Sequence, residues 1–193
     1  MTYLVINDSG IWKEGRYLMQ KGRDRLFLAV PAILFDYAKL QSDFSGLVEG
    51  RWTVVDNLHL TLCFFGDRFG RRELLNRLEP LIQSIDPVEI RGVGFFKHNR
   101  ILHAKAESSS LEKMHFRIAR EFGLPVKRGF AGHITLMRVK KIHDMEMFRQ
   151  EIHNYNSRVV GRLDPWLELM QSRLYSDGAR YELVKRFSRS LSD

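Results

Sequence analysis

Two short stretches of this chain constrain its fold more than anything else in it: Asn57-Leu58-His59-Leu60-Thr61-Leu62 and Gly132-His133-Ile134-Thr135-Leu136. Each alternates a polar residue with an aliphatic one, the pattern of a half-buried β-strand. His and Thr then share one face, two residues apart, while the aliphatics pack inward. The fold must provide two such strands, each with its polar face accessible. An imidazole accepts or donates a proton near neutral pH, and a hydroxyl beside it can hold an oxyanion. Two such pairs facing one another would form a symmetric acid/base site around a phosphate. With seven histidines in the chain, roughly 0.05 copies of this pattern are expected by chance. One strand histidine alone reads as an ordinary packed or surface residue. The repetition argues for chemistry.

Around these strands, hydrophobic periodicity predicts a mixed order of elements. Leu26 to Val30 reads as a strand, and Pro31 as the start of a helix striped by Ile33, Tyr37, Leu40, Phe44 and Leu47, ending near Gly46 to Gly50. Trp52 to Val55 leads into the first motif strand, Leu58 to Phe65. A second helix carries Leu74, Leu78, Leu81, Ile82 and Ile85 and closes at Pro87. Val88 to Phe96 and Ile101 to Glu107 read as strands joined near Asn99. A third helix turns Leu111, Met114, Ile118 and Phe122 inward and stops at Gly123. The second motif strand runs from His133 to Val139, and Met145, Phe148, Ile152 and Tyr155 stripe a fourth helix. Val159 to Leu163, Leu167 to Tyr175 and Arg180 to Phe187 complete the strands, the last two around an Asp177-Gly178 turn. Intermixed helices and hairpins predict an α+β fold with largely antiparallel sheets flanked by helices. The helix–strand–motif order occurs twice, which predicts two pseudo-duplicated lobes in one domain, residues 25–190. Residues 1–24 precede it as an N-terminal extension of unassigned role, with short strands at Tyr3 to Ile6 and Trp12 to Met19 around an Asp8-Ser9-Gly10 turn.

At 193 residues the chain has the length of one domain with a sizeable core. The single cysteine, Cys63, excludes an internal disulfide and suits a reducing compartment. No apolar run reaches membrane-spanning length, and the first residues lack the basic and apolar segments of a signal peptide. A cytoplasmic protein that does not enter a membrane is expected. The net charge of +8 favours polyanions, RNA among them. The basic residues are dispersed, with small clusters at Arg68, Arg71, Arg72 and at Lys140, Lys141. That suits modest phosphate attraction better than a duplex-binding face.

The motifs and their surroundings resemble the 2H phosphoesterase superfamily, and within it the RNA 2′,3′-cyclic phosphodiesterases, also called 2′-5′ RNA ligases. The resemblance runs through Arg25 to Val30, Arg51-Trp52, Asp56 to Gly66, Gly92 to Phe96, Phe130 to Arg138, Ser172 to Leu174 and Gly178 to Tyr181. It implies one His-x-Thr-x motif per lobe, both lining a shared cleft. It also implies hydrolysis of RNA ends or nucleotides carrying a 2′,3′-cyclic phosphate to the 2′-phosphate, with reversible 2′-5′ ligation in the same site. No metal and no cofactor are implied, and a monomer is expected.

The resemblance makes His59 the proton donor and His133 the proton acceptor, with Thr61 and Thr135 bonding the non-bridging oxygens. Arg138 corresponds to an arginine that commonly follows the second motif. Simple alternation puts it on the face opposite His133, so it needs a strand end or a bulge to reach the cleft. Phe65 shares the His59 face by alternation and is expected to wall the pocket or stack on a base. Phe95 and Phe96 are weaker stacking candidates, core packing being expected for at least one. Two departures stand out: Gly132 replaces the usual proline before the second His and is expected to loosen the strand entry, and His103 stands where many relatives carry an aromatic. A structural role is expected for His103. His98, His115, His143 and His153 have no Thr partner and form no metal-ligand cluster with a motif. Cys63 lacks an evident base partner and is not expected to be a nucleophile. Other readings stay open: a nucleotide-binding module for an AMP-like ligand, or a 2H enzyme acting on another cyclic phosphate or on a 2′-5′ oligonucleotide.

Overall fold

A computed structural model of the chain describes residues 4–6, 12–14, 25–126, 129–175 and 178–187. In chain order the elements are β1 (Leu4–Ile6), β2 (Trp12–Glu14), β3 (Arg25–Leu34), α1 (Tyr37–Asp43), β4 (Val48–Trp52), β5 (His59–Gly66), α2 (Arg71–Leu78), β6 (Glu89–Arg91), β7 (Val93–Phe96) and β8 (Ile101–Lys105). There follow α3 (Ser109–Glu121), β9 (His133–Ile142), α4 (Met145–Asn154), β10 (Val159–Leu163), β11 (Leu167–Tyr175) and β12 (Gly178–Phe187). The strands pair in the order β12-β11-β3-β5-β9-β8-β7, with β4 added to β9, β10 to β3 and β6 to β10. Every one of these pairings is antiparallel. β12-β11-β3-β5 form one lobe and β9-β8-β7 the other. The lobes join where the two motif strands touch, at the single pair Leu60↔Ile134. The α+β class and the paired lobes agree with the sequence pattern. β1 and β2 pair with each other, and the Asp8-Ser9-Gly10 turn between them lies outside the described residues, as does Asp177. No helix among the described residues is long and apolar enough to cross a membrane.

One continuous core holds the lobes together, with Phe44, Phe65, Phe148, Leu60, Leu62 and Leu102 among its fully buried side chains. Each such leucine or phenylalanine contributes about 1.5–3 kcal/mol by transfer from water. Three helices begin at side-chain caps: Asp36 accepts from the Lys39 amide, Ser108 from that of Leu111 and Asp144 from that of Met147. Each cap is worth about 1 kcal/mol.

Four expectations about elements need correction. Pro31 does not open a helix. β3 continues through it to Leu34, and α1 begins only after Asp36. Pro31 sits at a seam where the neighbour of β3 changes from β11, which pairs up to Ala29, to β10, which pairs from Ala32. No ladder bond is needed there from the nitrogen that proline lacks. The second helix ends at Leu78, not near Ile85, because Pro80 forces a tight Glu79–Leu81 turn. The strand expected over 88–96 is two strands, broken at Gly92, whose φ of 80° disfavours any side chain. Residues 48–50, read as the end of a helix, and Trp52, read as the lead into the first motif strand, belong instead to β4, paired against β9.

Candidate active site

The motif strands β5 and β9 lie side by side, and the pair Leu60↔Ile134 fixes their register. Continuing that antiparallel register places His59 across from Thr135 and Thr61 across from His133. Leu60 and Ile134 are fully buried, while His59, His133 and Thr135 are half-buried and Thr61 is exposed. The two imidazoles and two hydroxyls thus occupy the corners of one small square on the accessible face, with the histidines on a diagonal. Diagonal cross-strand neighbours lie roughly 7–8 Å apart, which leaves room for one phosphate between them.

Both imidazoles are oriented in the same way. His59 Nδ1 lies 2.8 Å from the carbonyl of Asn57, and His133 Nδ1 lies 2.8 Å from that of Ala131. A carbonyl only accepts, so each Nδ1 carries a hydrogen and each Nε2 is the nitrogen that exchanges protons. His59 Nε2 is 3.1 Å from Thr61 Oγ1. Rings hold each imidazole in place. His59 packs against Phe27 of β3 and Tyr181 of β12, at centroid distances of 5.1 and 5.2 Å, and those two rings also meet each other at 5.1 Å. His133 meets Phe96 edge-on at 5.0 Å and lies 5.7 Å from His103. Burial lowers the pKa of His59, and the charge of His133 lowers it further, while the Asn57 carbonyl and Glu168 act in the opposite direction. The two histidines are therefore close enough for one to resist the protonation of the other.

A β-bulge follows each motif at the same offset. Against β3, Thr61 pairs with Ala29 and Cys63 with Leu28, so Leu62 is the extra residue. Against β8, Thr135 pairs with His103 and Met137 with Leu102, so Leu136 is the extra residue. A bulge reverses the alternation beyond it. Leu62 and Cys63 are both buried, and so are Leu136 and Met137. Arg138 thereby returns to the exposed side, that of His133 and Thr135. Of the two routes that the sequence left open for Arg138, a strand end or a bulge, the bulge is present.

The same device overturns the expectation for Phe65. Its side chain is 1% exposed and packs against Phe69 and Phe122, at 5.1 Å from the latter, so it belongs to the core. Phe64 takes the outward position, 47% exposed, with the Arg25 guanidinium 5.3 Å from its ring centre. Phe64 and Arg138 occupy equivalent places in the two lobes.

A bulge leaves backbone groups without ladder partners, and a buried carbonyl needs a donor. His115 of α3 donates from Nδ1 to the Leu62 carbonyl at 2.7 Å. The Thr53 amide donates to the Leu136 carbonyl at 2.8 Å, and the one hydroxyl hydrogen of Tyr37 of α1 is shared between that carbonyl at 3.0 Å and the Thr53 carbonyl at 2.9 Å. The helices cross over: α1, which precedes the first motif, secures the bulge of the second, and α3 secures the bulge of the first. His115 also lies 3.6 Å from Cys63 Sγ, so a base stands beside the cysteine after all. Its Nδ1 hydrogen is committed to Leu62, and burial pushes the Cys63 thiol up to about 12. The thiol stays protonated and unreactive.

His103 is 5% exposed and stacks on Phe96 at 3.8 Å. Burial, with the nearby His133 charge, brings its pKa down to about 4. It is a neutral packing partner of His133 at physiological pH. Phe95 packs on Phe148 at 5.2 Å, in the core. Gly132 does not loosen the strand entry. A Cβ there would come within 2.2 Å of the Ala106 carbonyl, so the glycine permits close approach of β8 and β9. Sequence reasoning missed Phe27, Tyr181, Tyr37 and His115, which act on the site from other elements. Among the described residues no three His, Cys, Asp or Glu side chains converge as a metal site would require.

An antiparallel two-lobed fold with a His-x-Thr strand from each lobe meeting at one small polar square defines the class of protein. A profile of the 2′-5′ RNA ligase superfamily matches residues 51–171, and the chain belongs to that superfamily. It is 28% identical over 178 residues to a protein of Methanocaldococcus jannaschii named RNA 2′,3′-cyclic phosphodiesterase, covering 84% of this chain and 99% of that one. A protein of the same name from Aquifex aeolicus is 26% identical over 155 residues, covering 72% of this chain and 82% of the relative. The fold is similar to that of Escherichia coli LigT in its apo form, with a TM-score of 0.64 at 19% identity, covering 86% of this chain and 98% of that one.

Proposed function

We propose that the chain opens 2′,3′-cyclic phosphate ends of RNA, leaving a 2′-phosphate, by two-histidine acid/base catalysis. The observation that carries this reading is the diagonal pair of imidazoles, each with Nδ1–H bonded to a carbonyl two residues earlier and Nε2 available to substrate. His133 takes the proton from the attacking water, and His59 gives one to the departing ribose 3′ oxygen on the far side of phosphorus. The Thr61 and Thr135 hydroxyls hold the non-bridging oxygens as charge grows on them, and Arg138 adds a cation on the same side. Phe64 takes the base-stacking role that alternation had assigned to Phe65. The relatives named as RNA 2′,3′-cyclic phosphodiesterases support the substrate class. Run backwards, the same geometry joins a 5′-hydroxyl to a cyclic end through a 2′-5′ linkage, slowly, because water is far more abundant than hydroxyl ends.

The test is incubation with a 2′,3′-cyclic mononucleotide and phosphorus NMR of the product. The 2′-phosphate is expected. Predominant 3′-phosphate would require exchanging the roles of His59 and His133. Binding without turnover would make the cleft a nucleotide-binding module instead. Every step is assigned to side chains of the chain itself, so turnover should survive EDTA. Complete loss that a divalent ion restores would overturn the two-histidine mechanism.

A further inference from the structure

The two motifs share a pattern of pairing, so positions in one lobe match positions in the other. In the first lobe Thr61 pairs with Ala29 of β3, and Ala29 with Glu168 of β11. In the second, Thr135 pairs with His103 of β8, and His103 with Gly94 of β7. Directly paired side chains share a face of the sheet, and here it is the face of the motif residues. The row beside Thr61 thus ends in a carboxylate, and the row beside Thr135 ends in a glycine. Two residues along, Pro31 pairs with His59, while Lys105 pairs with His133. One lobe sets a negative charge beside its imidazole, and the other sets a positive one.

The pairing also brings Glu168 within reach of His59. The backbone of His59 pairs with Pro31, but its ring meets Phe27, four residues earlier on the same face of β3. Between those two positions lies Ala29 with a bare methyl group, so the ring leans across the row that Glu168 ends. Arg186 of β12 bonds Glu168 Oε1 through two nitrogens, at 2.9 and 2.7 Å. The partners differ in burial, the carboxylate side chain being 11% exposed and the guanidinium side chain 52%. Water screens the arginine more than the carboxylate, which leaves a net negative field at His59. The other titratable groups facing His59 are His133 from β9 and Tyr181 from β12. Asp164 stands beyond Pro31, its amide donating to the Pro31 carbonyl at 2.9 Å. Burial and the His133 charge act against a proton on His59, and Glu168 acts for one.

We propose that Glu168 is a positioning residue for the proton: its carboxylate, set across Ala29 from the first motif, keeps on His59 the proton that the pair shares, making His59 the acid and His133 the base. This rests on the two-histidine reaction proposed above. It gives two motifs of one pattern different roles through their neighbours alone.

The test is NMR titration of the His59 Hε1 resonance in the free protein, assigned by its absence from His59→Ala. Glu168→Gln keeps the shape and an acceptor for Arg186 but removes the charge. The His59 midpoint should then fall by roughly 0.5–1 pH unit, less than a contact pair gives. Arg186→Gln breaks the same ion pair but leaves the carboxylate, and it should raise the midpoint. Glu168→Asp keeps the charge and should stay close to the unaltered protein. In turnover of a 2′,3′-cyclic mononucleotide, the alkaline limb of kcat/KM should move with the midpoint in each variant, since His59 must hold its proton to act. An unmoved midpoint in Glu168→Gln would overturn the proposal. So would shifts of one sign in Glu168→Gln and Arg186→Gln, because structural damage is common to both. The titration needs no turnover, so the two proposals fail separately. Opposite shifts in a protein that turns over no cyclic nucleotide keep the placement of the proton by Glu168 and remove the reaction. Turnover with an unmoved midpoint keeps the reaction and removes the role of Glu168.

Discussion

His59→Ala and His133→Ala each lower turnover by about 10²–10⁴, the usual worth of a positioned acid or base. Both variants keep the fold, because neither imidazole is part of the core and each is held by one carbonyl and neighbouring rings. The double variant loses little more than either single one, since the two groups act as a unit in one displacement at phosphorus. In the proposed mechanism the productive molecule holds a proton on His59 and none on His133. Burial depresses the His59 pKa in the free protein, so fewer molecules hold that proton at neutral pH than an ordinary histidine would give. Bound cyclic phosphate brings a negative charge between the rings and raises His59 again. The rate is therefore bell-shaped in pH, and the alkaline limb of kcat lies at higher pH than that of kcat/KM. The limbs belong to the coupled pair rather than to either residue alone. A flat profile between pH 5 and 9, or full activity in either single variant, would exclude this chemistry.

The strands to which the chemistry is assigned by proposal were legible because period-two patterning is local: His59-Leu60-Thr61 and His133-Ile134-Thr135 alternate whatever their neighbours do. Helices α3 and α4 were legible for the same reason, with stripes matched by buried Leu111, Met114, Ile118 and Phe148. The bulges were not. One residue inserted at Leu62 or Leu136 is set by pairing with β3 and β8, far away in sequence, and nothing in the local pattern marks it. A signal did exist. Bringing Arg138 to the cleft called for a strand end or a bulge after the second motif, and a bulge applied likewise to the first motif would have exposed Phe64 and buried Phe65. Nor could periodicity show that Pro31 lies at a seam between two neighbouring strands, since that position exists only in the assembled sheet. β4, with the sequence VEGRW, has one buried residue and acquires its identity as a strand from β9.

The bulge after the first motif makes a second large prediction, because it exchanges the fates of two adjacent phenylalanines. Phe65→Ala should destabilise the protein by about 3–5 kcal/mol, the cost of removing a fully buried ring and leaving a cavity. The ring it removes is 1% exposed and packs edge-on against Phe69 and Phe122. Phe64→Ala should cost under about 1 kcal/mol, since its ring is 47% exposed and its described partner is the Arg25 guanidinium at 5.3 Å. Urea denaturation separates the two: the midpoint falls steeply for Phe65→Ala and barely for Phe64→Ala, with similar slopes. Function should divide in the opposite sense. Loss of a stacking surface is worth about 1–3 kcal/mol per base, so Phe64→Ala should raise KM for a cyclic nucleotide by about tenfold with little change in kcat. Folded Phe65→Ala, assayed well below its unfolding midpoint, should keep a KM near that of the unaltered protein. If strict alternation ran through Leu62, the outcomes would be reversed: Phe65→Ala would raise KM and keep its midpoint, and Phe64→Ala would unfold in dilute urea.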